Sequence, residues 1–122
     1  MNTKFFKYDE DNKIVFGYAI ISKVDGVEYV DKQGDHIPED SIIDATRDFM
    51  DNNREGHIMH AGQKVGKVLY SFPLTEEIAK SLDIEAKTYG FLIGMRVDNK
   101  EVMKSVIEGD TASFSIGGYV DE

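Results

Sequence analysis

Apolar and polar positions along the chain fall into short runs separated by turn residues, a pattern of strands with a few helices between them. Residues 13–22 (KIVFGYAIIS) are rich in Val, Ile, Phe and Tyr and predict a buried strand. The turn pair Asp25-Gly26 follows, and residues 27–30 can pair back as a hairpin. Pro38-Glu39-Asp40-Ser41 opens a helix to about Asn52, with Ile42, Ala45, Phe49 and Ile43, Thr46, Met50 stepping by three and four along a buried face. Residues 57–60 (HIMH) read as a strand, 61–64 as a turn, and 65–72 (VGKVLYSF) as a strand that Pro73 stops. A short helix starts at Thr75-Glu76-Glu77 and ends near Leu82. Residues 90–97 (GFLIGMRV) are a strand whose glycines, Gly90 and Gly94, would let another backbone or a partner approach closely. Residues 99–108 form a helix that stops at Gly109, and residues 111–120 (TASFSIGGYV) are the last strand. This order predicts a single α+β domain over residues 1–122, mostly β: an open or barrel-like antiparallel sheet with two or three peripheral helices.

Composition narrows the function. A chain of 122 residues, 41% apolar, can bury a real core, since one of this size hides roughly two-thirds of its unfolded surface. No run of apolar residues is long enough for a membrane helix. Met1 to Lys7 lacks the apolar run and cleavage site of a secretory leader, so the expected setting is a cytoplasm. The absence of cysteine excludes a disulfide framework, a thiolate zinc site and a cysteine nucleophile. The net charge of −9 disfavours nucleic acid as a partner and suits a soluble surface.

Chemistry must then rest on Ser, Thr, His, Lys or carboxylates. His36 sits in the polar loop of residues 31–36 and reads as a solvated loop residue. His57 and His60 share one short strand, where alternation points them to opposite faces, so they cannot chelate one ion together. Ser41 and Ser105 lie at a helix start and within a helix, where capping or solvation accounts for them. Ser113 and Ser115 share one strand face with Gly117, while Phe114 and Ile116 face the core. That is a small, polar, open face on a rigid strand, which suits a nucleophile and equally a plain sheet. The hydrolase elbow Gly-x-Ser-x-Gly is absent, as are the glycine-rich phosphate loops.

Several segments occur in a telling order: Asp31-x-Gln33-Gly34-Asp35; a helix with Phe49-Met50; Met59-His60-x-Gly62-x-x-Val65-Gly66-x-Val68; and Gly109-x-x-x-x-Phe114-Ser115-Ile116-Gly117-Gly118. In that order, from about Gly17 to Val120, the chain resembles the XkdF-like branch of the phage prohead (capsid maturation) serine proteases. The resemblance implies Ser115 as nucleophile, His60 as general base, and a fold similar to herpesvirus assemblin, a β-barrel ringed by helices. It also implies a role in cutting the internal scaffold of a tailed phage within the assembling prohead, in the host cytoplasm. The partners so implied are scaffold and capsid proteins, with no metal or cofactor; a homodimer or higher oligomer is one open alternative for the assembly, and hydropathy and charge already speak against a membrane or nucleic acid.

Related proteases draw a third catalytic member from downstream of the serine, but only seven residues follow Ser115. Asp121 or Glu122 serves, or an upstream acid such as Asp35, or the domain is a reduced one. The rival reading is a catalytically inactive protease-fold module for scaffold binding or capsid assembly; a small-ligand barrel is a third. Alternation lets only one of His57 and His60 face Ser115. The protease reading expects it to be His60, on an adjacent strand and within about 4 Å of the serine.

Overall fold

Phe91, Ile93, Met95 and Val97 occupy alternate positions of the strand Thr88–Val97 and are all buried, the signature of a sheet with one face on a core. The computed structural model describes residues 2–31, 33–52 and 56–117. Its strands are β1 (Asn2–Asp9), β2 (Ile14–Val24), β3 (Val27–Glu28), β4 (His57–His60), β5 (Gln63–Leu74), β6 (Thr88–Val97) and β7 (Ser113–Gly117). The helices are α1 (Glu39–Asn52), α2 (Glu76–Ser81) and α3 (Lys100–Ile107). The sheet order is β1-β7-β4-β5-β6-β2-β3, and β1 also pairs with β2, so six antiparallel strands close into a barrel with β3 appended as a hairpin arm. Among the described barrel strands, closure leaves a free edge only where a short strand such as β4 runs out beside a longer one. The expected mostly-β, barrel-like α+β fold is what forms.

The barrel interior is filled by Val15, Ile58, Val65, Val68, Phe91, Ile93, Met95, Phe114 and Ile116. Helix α1 adds Ile42 and Phe49, whose ring meets Phe91 edge-on at 5.7 Å. Of the two expected helical rows, Ile42, Thr46 and Phe49 are buried and Met50 is exposed, so the stripe is narrower than the periodicity suggests. Thr75 caps α2 by accepting from the Ile78 N–H, and Asn99 caps α3 by accepting from Glu101 and Val102. Gly109, at φ +85°, ends α3 as expected.

One expectation fails, another narrows, and one strand is added. Pro73 does not stop its strand: β5 runs to Leu74, with Pro73 opposite Phe91. The far half of β5 has a neighbour only in β6, because β4 pairs only as far as Lys67, and an edge tolerates a missing N–H. Of the two alternatives at Gly90 and Gly94, the barrel's own strands and not a partner take up the space. A side chain at Gly90 would strike the Ile20 carbonyl at 2.0 Å, and the place beside Gly94 is taken by the Tyr70 and Phe16 rings. These glycines let the barrel's own strands approach. Residues 2–9, to which the sequence pattern assigns no element, form β1, which closes the barrel between β7 and β2.

Candidate active site

Ser115 lies in the five-residue strand β7, bonded to β1 on one side and β4 on the other. Phe114 and Ile116 point into the barrel, and Ser115 between them is exposed. Its cross-strand partners are Asn2 on β1 and Met59 on β4. Ser113 pairs with Lys4, and Gly117 with His57. Residues directly opposite one another share a face, so Asn2, Lys4, His57, Met59, Ser113 and Ser115 lie together on the outside of the barrel.

The strand carrying the histidines is thus the neighbour of the strand carrying the serine, as expected. The expected sharing of a face by His60 and Ser115 is not met. Met59 is the residue opposite Ser115, so His57, two positions away, takes the serine's face, and His60, one position away, takes the other. The His60 ring lies edge-on to the buried Phe114 ring, with centroids 6.0 Å apart. It is half-buried at the end of β4, where the chain turns through Ala61 (φ +52°) and Gly62 (φ +79°). The Nδ1 of His57 is buried and has no hydrogen-bond partner among the described residues.

Asp35 lies in the loop before α1. With Asp31, Tyr18 and Tyr29 it lines a cavity of about 560 Å3 that also reaches Asn2 and Lys4. Its backbone N–H donates to Asp31 Oδ1 at 2.9 Å, and its carbonyl accepts from the Asp31 N–H at 2.9 Å, which shapes the loop. No contact among the described residues joins Asp35 to either β4 imidazole. Burial holds the Tyr18 hydroxyl above its ordinary pKa, with Tyr89 adding to the shift, and that hydroxyl donates to the Thr88 carbonyl at 2.8 Å. His36 is not a solvated loop residue: its Nδ1 donates to the Tyr29 carbonyl at 2.9 Å, and its Nε2 lies 3.3 Å from a Glu28 carboxylate oxygen. Gly118, Asp121 and Glu122 lie outside the described residues.

Among the described residues no group of three or more His, Asp or Glu side chains could hold a metal ion. Sequence reasoning missed Asn2, the residue directly opposite Ser115. The only signal was the polar–apolar step Asn2-Thr3-Lys4-Phe5, blurred at once by Phe6, where the β1–β2 register shifts.

No curated protein and no solved structure matches the chain. A family model does, over residues 2–122, and its description reads "Putative phage serine protease XkdF". The match takes in β1 and the strands that carry Ser115 and the two histidines, and the chain belongs to this family.

Proposed function

We propose that this protein is a serine endopeptidase that cleaves the internal scaffold of a tailed phage during capsid maturation, with Ser115 as nucleophile and His60, by its place in the family motif, as base. The observation that carries the reading is an exposed serine on a rigid strand hydrogen-bonded on both flanks, next to the strand that holds two imidazoles. A serine so placed is held still and open to an extended peptide. Its oxygen attacks the scissile carbonyl while an imidazole takes its proton; the same imidazole then returns the proton to the leaving amine. Water repeats the sequence on the acyl-enzyme. For His60 to serve, its ring must leave Phe114 and come round the end of β4.

The register favours a second reading of the base. His57 already lies on the serine's face, on the diagonal from Ser115, and its unpartnered Nδ1 is where an orienting acceptor would bind. Co-expression with the scaffold protein of the same phage separates the readings. Ser115→Ala should abolish cleavage under either one. His60→Ala should abolish it if His60 is the base, and His57→Ala if His57 is. Cleavage that survives Ser115→Ala contradicts the enzyme reading and leaves a scaffold-binding module of protease fold.

A further inference from the structure

We infer that the side-chain amide of Asn2 is the donor that stabilises the oxyanion formed when Ser115 attacks a peptide carbonyl. This rests on Ser115 as nucleophile and adds the group that holds the developing charge. Acyl transfer puts a negative charge on the carbonyl oxygen, and catalysis needs fixed N–H donors waiting where it develops. Many serine hydrolases take one from the backbone of the nucleophile itself. That source is closed here. Ser115 is paired on both flanks, with Asn2 and with Met59, so its N–H is committed to a ladder instead of facing a substrate.

The donor must therefore come from a side chain on the same outer face. Directly opposite residues in an antiparallel pair have Cβ atoms about 4.5–5.5 Å apart. Two residues stand in that relation to Ser115, and only Asn2 carries an N–H, since the methionine sulfur is at best a weak acceptor. Asn2 is turned outward by its neighbour: Thr3 is fully buried and faces Phe114, which leaves Asn2 exposed on the side of Ser115. Among the described residues no hydrogen bond engages the Asn2 amide, so it is available to a substrate. Lys4 and His57 are one step further off, on diagonals at about 7–8 Å.

The cavity of about 560 Å3 begins at Asn2 and Lys4 and runs towards Tyr29 and Ile37. A peptide that places a side chain there crosses Asn2 on its way to Ser115. As the Ser115 oxygen bonds to the carbonyl carbon, its proton passes to the imidazole and the carbonyl π pair moves onto oxygen. The Asn2 Nδ2–H donates to that oxygen until the carbonyl re-forms and the amine departs with the proton. Asn2 gains and loses none.

The probe is a fluorophosphonate–rhodamine, whose phosphoryl oxygen takes up charge in the same way when serine attacks. The labelling rate of the full chain should fall about 100-fold or more in Asn2→Ala, and at least as far in Asn2→Asp, which keeps the size and lacks the donor. Melting temperatures should not change, because Asn2 is exposed. Unchanged labelling in both variants overturns the inference while leaving the serine reading intact. So does a loss of labelling matched by a loss of melting temperature, which marks Asn2 as structural. If Ser115→Ala labels as fast as the wild type, the serine reading itself fails, and this inference with it.

Discussion

Gly66 has no room for a side chain. A methyl group there would lie 1.8 Å from the Arg96 carbonyl oxygen and 3.0 Å from Ile58 Cδ1, where β5 meets β6 beside β4. Backbone cannot yield as a flexible side chain can, so Gly66→Ala should cost about 3 kcal/mol, the upper end of ordinary overpacking. Thermal unfolding checks this, and an unchanged midpoint would show that β5 and β6 can separate freely. Thr3 makes the opposite case. It is fully buried in the closing strand, and its Oγ1 has no partner among the described residues. Thr3→Val keeps the shape and removes the unsatisfied hydroxyl, which should raise stability by about 1 kcal/mol and the melting temperature by a few degrees. A drop would reveal a partner for that hydroxyl.

At the scale of elements, one ionic cluster joins β2 to two helix starts. Lys23 Nζ lies 3.1 Å from Glu76 in the first turn of α2 and 3.7 Å from Glu39 in the first turn of α1. Glu39 also accepts the Glu76 backbone N–H at 2.8 Å. The hydrogen bond from Lys23 holds Glu76 below its ordinary value of 4.5, and the same bond, with the Glu39 charge behind it, raises Lys23. A carboxyl whose pKa is depressed on folding stabilises above its unfolded value and loses that contribution as the pH falls. The melting temperature should therefore decline below about pH 4.5, and Glu76→Gln should flatten a small part of that decline, since the pair is partly exposed. Identical pH profiles for wild type and variant would show that the cluster contributes nothing to acid stability.

The elements differed in how legible they were. α1, α2 and α3 announce themselves through local signals such as Pro38, Thr75, Asn99 and Gly109, and all three form where those signals stand. β1 does not, because Phe5-Phe6 breaks its alternation at the register shift, and what fixes it is pairing with β2 on one side and, from the other end of the chain, β7 on the other. The site suffers the same limit. Alternation says correctly that only one of His57 and His60 faces Ser115. Which one depends on the register between strands more than fifty residues apart, and neither strand encodes that alone.

For the whole molecule, the site is spread over three neighbouring strands of the barrel, β1 and β4 flanking the strand of Ser115 on opposite sides. The site should therefore melt as one unit with the fold, and the Ser115→Ala protein should unfold at the wild-type temperature, its side chain being exposed. The central claim is that Ser115 is an activated nucleophile. The most direct test is to treat the folded protein with a fluorophosphonate and map the adduct by peptide mass spectrometry. A single adduct on Ser115, absent from the heat-unfolded protein and from Ser115→Ala, is the predicted result. No adduct on the folded protein, or one on Ser113 or another serine, would contradict it.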